Sequence, residues 1–339
     1  MWVGLHYGRY SPVGFAERPE PNFAWINFDA GASTQGSYAF IMDAQAPAWW
    51  AGWRAGLTFG AVRVNRLGYY GLGNDTQYAR DSLTTAGSYF YKVSRTTQFA
   101  RATVQRRLIG PLRILAGASI DHSDFRALPG RSVFRDDLAG GVVDPGTIPL
   151  TDKVVRAGVV LDTRDHEIDP HRGVAAEVLF ASGTGYTRTT TSARVYVHPF
   201  QRLVLAGRLA AEGTGGNPPL AAMELMESPE RPFVAVGGYY SLRAYYNGRF
   251  TGPGKLIGGL EARYALLLVP SLVEVKLVVF YDAGRVFAPG EGVRLTTTGL
   301  HRSGGAEVAV RLLRNSLLCM GYGHGSDGGR FLFGTSWSY

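Results

Sequence analysis

Apolar side chains recur at every second position in segment after segment of this chain. Nowhere do they keep the 3.6-residue spacing of an amphipathic helix. Over 273–282, Val273, Val275, Leu277, Val279 and Tyr281 share one face, and Glu274, Lys276, Val278, Phe280 and Asp282 share the other. Over 256–266, Leu256, Leu260, Ala262, Tyr264 and Leu266 lie opposite Glu261 and Arg263. Val308 and Val310 oppose Glu307 and Arg311, and Leu203, Leu205 and Leu209 oppose Arg202, Arg208 and Glu212. Such segments are strands with one apolar and one polar face. No run of about 20 apolar residues exists that could make a membrane helix. The longest apolar stretches, 265–270 and 277–281, are strand-sized. Alternation alone does not separate a sandwich, which buries its apolar face, from a membrane barrel, which turns that face to lipid.

Length and strand number favour the barrel. Strands of roughly 9–11 residues suit a tilted membrane crossing. About sixteen are read here, an even number as bacterial barrels prefer: 3–10, 24–32, 37–45, 52–63, 86–95, 97–108, 111–121, 153–163, 173–182, 187–198, 202–212, 255–266, 273–283, 302–313, 316–324 and 330–339. The chain has 339 residues, beyond the size at which one soluble core stops growing. A single large barrel domain over 1–339 accounts for that length, since no repeat or linker divides it. Short turns are expected at Ile109-Gly110-Pro111, Pro199-Phe200-Gln201 and Arg314-Asn315, and long loops near 122–152, 213–254 and 284–301. Barrels put short turns in the periplasm and long loops outside, so Tyr339 is expected on the periplasmic side. The long segment 64–85 then falls on the short-turn side and breaks the pattern.

The net charge is +8, carried by basic residues scattered singly along strands. That argues against a nucleic-acid partner and for attraction to anions, such as lipopolysaccharide phosphates or solutes. Arg101, Arg107, Arg156, Arg194, Arg202, Arg208 and Arg311 have inward parity, which fits either charge balance against inward acids or an anion-preferring lumen. Cys319 is the only cysteine, so no intrachain disulfide forms. Met1–Tyr10 does not read as a secretory signal peptide, so a mature form or a piece of a longer protein is expected. No Gly-x-Ser-x-Gly elbow occurs. His324, Ser326 and Asp327 stand too close in sequence for a triad. The Gly-x-Gly-x-x-Gly of Gly323, Gly325 and Gly328 has no helix after it to hold a phosphate. This stretch reads as a flexible hairpin loop, and neither an enzyme nor a cofactor is expected.

One constellation stands out. Gly237-Gly238-Tyr239-Tyr240-Ser241-Leu242-Arg243-Ala244-Tyr245 is followed by Glu261 and Asp282, inward-facing on two successive strands. A guanidinium offers a planar fork of donors that suits two carboxylates in a confined site. On residues alone, a lock and three unrelated charges are equally open readings. The order and spacing resemble the signature of the BamA/TamA-type bacterial surface antigen superfamily. That resemblance implies a transmembrane antiparallel β-barrel whose long extracellular loop folds into the lumen and pairs Arg243 with Glu261 and Asp282. Gly237, Gly238, Ser241, Leu242 and Tyr245 match the loop motif, whereas Ala244 stands where Gly is usual, and Ala resists positive φ. Phe280-Tyr281-Asp282-Ala283-Gly284 resembles the family's aromatic-Asp-x-Gly strand.

Two further matches extend the resemblance. Asp162, Arg164, Pro170 and Gly173, within Leu161–Gly173, resemble a periplasmic turn motif. Its acids lack calcium-loop spacing, and His166 and His171 read as solvated turn residues without zinc partners, so no metal is expected. Gly334, Trp337 and Tyr339 resemble the C-terminal barrel-assembly signal, with Leu332 where a polar residue is usual. Tyr69–Thr76 resembles a recurring family element without an assigned role. The resemblance implies a Gram-negative outer membrane and partners among its lipids and lipopolysaccharide, the assembly machinery and unfolded outer-membrane clients. It implies a part in outer-membrane protein insertion, or in polypeptide or lipid translocation, through a weak seam between first and last strands. A passive pore, with or without an anion preference, and a membrane anchor for a separate periplasmic or passenger domain are the alternatives.

Overall fold

The computed structural model describes residues 2–12, 22–229, 232–269, 272–312 and 316–339; for 2–12 and Asn22 it describes the strand placement alone. The strands are β1 (Trp2–Pro12), β2 (Asn22–Ser33), β3 (Tyr38–Trp50), β4 (Trp53–Gly68), β5 (Lys92–Ile109), β6 (Leu112–Ala127), β7 (Leu150–Asp162), β8 (Gly173–Gly183), β9 (Tyr186–Phe200), β10 (Leu203–Gly216), β11 (Leu225–Met226), β12 (Phe233–Val234), β13 (Gly254–Val269), β14 (Val273–Phe287), β15 (His301–Leu312), β16 (Ser316–Gly325) and β17 (Gly328–Gly334). All but β11 and β12 join one 15-stranded antiparallel meander, in which β10 pairs with β13 across the long loop. β11 and β12 form a two-residue ladder inside that loop. Among the described residues β1 and β17 are the two ends of the large sheet.

Burial decides what kind of sheet this is. Leu260 is 64% exposed, while its neighbour Glu261 is 4% exposed. The same inversion runs along β14, where Leu277, Val279 and Tyr281 are exposed and Lys276 and Asp282 are buried. A soluble sandwich would do the opposite. A barrel that turns apolar residues to lipid and lines its lumen with charge does this on every strand. Trp49, Trp50 and Trp53 are exposed at one rim, where an aromatic girdle sits at the membrane interface.

The antiparallel sheet expected to have about sixteen strands is there, with fifteen in the large sheet, and the one difference is instructive. Segments 86–95 and 97–108 are not two strands: 92–95 and 97–108 belong to β5, 18 residues from Lys92, and 86–91 lie in the connection before it. The strand is long because it continues past the lipid zone into an apolar cap, where Val93 packs with Tyr69, Phe125, Phe134, Val143 and Leu220. Losing one strand shifts the parity of everything before it. The connection 69–91, which contains most of segment 64–85, therefore lies on the same edge as the long loops and follows the rule it was expected to break. Connections 51–52, 110–111, 163–172 and 201–202 share the other edge. The expected turn at Arg314-Asn315 lies outside the described residues.

Short helices occupy the loops: α1 (Ser82–Thr85), α2 (Val133–Ala139) and α3 (Leu220–Met223). None has the length to show a 3.6-residue stripe. α2 starts where the Ser132 hydroxyl accepts from the Arg135 amide, a regular N-cap. Phe134 of α2 and Leu220 of α3 then supply the cap above the lumen.

Candidate functional site

Loop 217–253 leaves β10, enters the lumen and returns to β13. Its tip is shaped by backbone geometry. Gly237 and Gly238 both have positive φ, at 108° and 103°. A Cβ on Gly237 would meet the Tyr246 carbonyl oxygen at 2.4 Å, so only glycine fits. The Ser241 hydroxyl accepts from the Gly237 amide at 2.9 Å. The Leu242 carbonyl accepts from the Gly238 and Tyr245 amides. Leu242, Ala244 and Tyr245 are buried. Ala244 departs from the usual glycine, and the opposite wall makes room: a Cβ on Gly323 would come within 3.4 Å of the Ala244 methyl. The Tyr245 hydroxyl donates to the Arg302 carbonyl at 3.1 Å.

This turn delivers Arg243 to the wall. Its Nε and Nη2 donate to the two oxygens of Asp282 at 2.9 and 2.8 Å, and its backbone amide adds a third bond at 3.2 Å. Its Nη1 donates to Glu261 at 2.6 Å. The guanidinium lies over the Phe280 ring, 3.8 Å from its centre. The register explains the convergence, because Glu261 sits opposite Phe280 and Asp282 opposite Gly259 on β13 and β14. Burial alone would lower the Arg243 pKa, but Glu261 and Asp282 outweigh it and raise the value. Arg263 grips the other oxygen of Glu261, Nε to Oε2, at 2.7 Å. The sequence reading gave Arg263 an inward direction but no place in the site.

A second anchor holds the first limb of the loop; the sequence reading gave Arg101 and Arg156 their inward direction but did not point to Glu227 or Arg188. Glu227 faces Arg156 at 3.3 Å, Arg101 at 3.4 Å and Arg188 at 3.9 Å. Arg101 also donates to the Ser228 carbonyl at 2.9 Å, and Arg95 to Glu224 at 2.5 Å. The Glu227 amide donates to Glu212, which Lys255 reaches at 2.6 Å. A loop acid in an aperiodic segment gives no pattern, and the three arginines sit on three different strands.

The turn motif is brought together. Arg164 forks onto Asp162 at 2.9 and 2.7 Å, and Arg54 pairs with Glu167. Gly173 has φ 108°, and a Cβ there would strike the Thr163 carbonyl oxygen at 2.3 Å. Pro170 and Asp169 are buried. His166 and His171 are not solvated turn residues, as expected, but half-buried ones. The His166 Nδ1 accepts from the Ile168 and Asp169 amides, and His171 lies beside Asp169 and Lys276. Asp169, His171 and Glu274 draw within 4.8 Å of one another. A cation is already there, because Lys276 donates to Asp169 at 2.8 Å and approaches Glu274 at 3.4 Å. Burial would raise the Asp169 pKa, yet Lys276 and its neighbours hold it at about 2.

The C-terminal residues depart most from expectation. The last strand was read as 330–339, but β17 stops at Gly334. Phe331 and Phe333 face outward, whereas Trp337 and Tyr339 turn into the lumen and are buried. Trp337 donates from Nε1 to Asp169 at 3.0 Å and lies under Arg263, 3.9 Å from its ring centre. Arg208 covers the Tyr339 ring at 4.4 Å. The break falls where a Cβ on Gly334 would strike the Tyr239 ring at 2.3 Å. The hairpin turn 326–327, read as flexible, grips the in-folded loop: Asp327 accepts from Arg249 at 2.6 Å, and Ser326 donates its amide to the Tyr245 hydroxyl. Thr76 takes the other two arms of Arg249, each at 2.8 Å, which places Tyr69–Thr76 against the loop.

An inside-out charged lumen and a loop pinned within it define a transmembrane β-barrel of the outer-membrane type. The family profile described as the Omp85 superfamily domain matches residues 47–325, and the chain belongs to that superfamily. A BamA from Haemophilus ducreyi lacking POTRA domains 1-3 superposes with a TM-score of 0.59 at 13% identity, over 98% of this chain and 68% of that one. CdiB from Escherichia coli superposes with a TM-score of 0.62 at 10% identity, over 98% of this chain and 58% of that one. At such identities the likeness is one of fold. The chain spans about two thirds of the length of that BamA and less than two thirds of CdiB. No curated protein matches the chain by sequence.

Proposed function

We propose that this chain acts in the Gram-negative outer membrane, inserting other barrels or passing polypeptides or lipids across, through a seam between its end strands. The reading rests on one observation: loop and seam are built from a shared set of contacts. Arg243 holds Glu261, Arg263 holds Glu261 and donates to the Tyr339 carbonyl, and the chain beyond β17 is thereby tied to the loop lock. β17 pairs only with β16 among the described residues, over seven residue pairs. A short last strand weakened by Gly334 is easily opened, and an opened edge is a template for an incoming strand. Residues 1–339 act in this reading as one barrel unit without catalytic chemistry. Lipopolysaccharide, unfolded outer-membrane proteins and the host's own assembly machinery are the partners.

The test is the folding rate of an unfolded outer-membrane barrel in liposomes that hold this protein, with Arg243→Ala as the comparison. Acceleration that the variant loses supports an insertase dependent on the lock. No acceleration over empty liposomes removes insertion by this chain alone; it leaves the anchor and pore readings, which bilayer conductance separates. A disulfide across the seam should abolish the activity.

A further inference from the structure

One stretch of the lipid-facing wall is not bare. Leu256 and Leu260 share the outward face of β13, yet Leu260 is 64% exposed and Leu256 only 5%. Phe287 has the outward parity of Tyr281 on β14 and is nevertheless fully buried. What covers them is the connection 288–300, which bends back over the outside of the barrel. A Cβ on Gly254 would come within 2.9 Å of a Val293 methyl, and one on Gly213 within 3.7 Å. Between this connection and the wall lies a cavity of about 520 Å³. It is lined in part by Leu209, Leu256, Gly258 and Ala283 on the wall and by Leu295 and Leu300 on the connection. Gly258 and Ala283 are direct cross-strand partners, and two such small residues in one row leave the wall hollow there. Leu295 is still 72% exposed, so the protein itself does not finish covering the slot.

Cations gather at the same end of the wall. Arg285, the cross-strand partner of Leu256, faces Glu291 at 3.3 Å, and Arg294, next to Leu295 in the chain, faces the same acid at 3.2 Å. Arg302 is the cross-strand partner of Ala283, is exposed, and pairs with no acid among the described residues. Three arginines against one acid make a positive rim above an apolar slot. A small solute anion gains nothing from the slot, and an uncharged lipid gains nothing from the rim. A lipid with acyl chains and a phosphate head uses both. The rim stands on the edge that carries the long loops, which in such barrels is the outer one. We propose that the groove between connection 288–300 and strands β10, β13 and β14 seats one acyl chain of lipopolysaccharide, with a phosphate of its lipid A on Arg294 and Arg302. This rests on the outer-membrane reading above and gives its lipopolysaccharide partner a place on the barrel.

The test is native mass spectrometry of the folded barrel in detergent micelles, titrated with lipid A and, separately, with phosphatidylglycerol. Folding of each variant is checked by its gel migration without heating. One lipid A per barrel is expected at saturation, held about tenfold more tightly than phosphatidylglycerol through its second phosphate. Gly258→Val should weaken lipid A about tenfold, because its methyl groups take the place of the chain in the slot. The variant should fold, since a Cβ at Gly258 meets only carbonyl oxygens, 3.8 and 3.9 Å away. Arg302→Gln should weaken lipid A about threefold, as loss of one exposed charge pair does. The proposal is overturned if lipid A is held no more tightly than phosphatidylglycerol, or if either variant binds lipid A as the unaltered protein does. No client protein enters the measurement, so its failure and that of the proposed insertion or translocation are separate.

Discussion

Two of the anchors that hold the in-folded loop by opposite charges, those at Arg243 and Glu227, are built differently. At Arg243 one loop cation meets two wall acids through four bonds of 2.6–3.2 Å, and both faces of the fork are used. At Glu227 one loop acid meets three wall cations at 3.3–3.9 Å. Several nitrogens of Arg101, Arg156 and Arg188 stay unpartnered there. The first anchor fixes position and direction, because a bidentate fork tolerates one geometry. The second fixes charge but little geometry. The wall strands differ to match: β13 and β14 pair directly and place their acids two register rows apart on the same face, while β5, β7 and β9 each send one arginine from afar.

Arg243→Ala should have the largest effect, because it leaves two buried carboxylates facing each other. Removing one partner of a buried pair costs about 3–5 kcal/mol, read as a lower urea midpoint for unfolding from detergent micelles. Arg243→Lys keeps the charge but loses the fork, and should forfeit about 1.5–3 kcal/mol, the worth of a hydrogen bond to a charged group. Glu227→Gln should cost less, about 1 kcal/mol, since its contacts are long and shared. If Glu227→Gln equals Arg243→Ala in the same titration, the contrast between the anchors is wrong. Trp337→Phe keeps a ring under Arg263 and loses only the bond to Asp169, so about 0.5–1.5 kcal/mol is expected.

The pH dependence of the inner C-terminal contact follows from Asp169. Its carboxyl titrates at about 2 in the folded chain, below the unfolded value of about 3.9. A depressed carboxyl pKa contributes stability above the unfolded value that disappears as pH falls through the folded one. The contact should hold unchanged from pH 7 to pH 5 and weaken from about pH 4 down to pH 2. Acid titration of the tryptophan emission, compared with Trp337→Phe, checks this.

Much of this was legible in the residues. Alternation fixed the parity of Glu261, Arg263 and Asp282, and a parity is all that a barrel wall needs to aim a side chain inward. The places where reading failed share a cause. Lys92–Ile109 looked like two strands because a strand that runs on into a cap mixes lipid-facing and cap-facing cues. Trp337 and Tyr339 keep the parity of Phe331 and Phe333, so the sequence carries no mark that the chain leaves the ladder at Gly334. Glu227 lies in a loop, where no period exists and partners come from strands more than 30 residues away.

The central claim is that Arg243 is the geometric pin of the loop and Glu227 is not. Hydrogen exchange of the loop amides, measured by mass spectrometry on the unaltered protein, Arg243→Ala and Glu227→Gln, tests it directly. The account predicts faster exchange across 237–250 in Arg243→Ala, and acceleration confined to 224–229 in Glu227→Gln. Equal exchange across 237–250 in both variants, or none in Arg243→Ala, would contradict it.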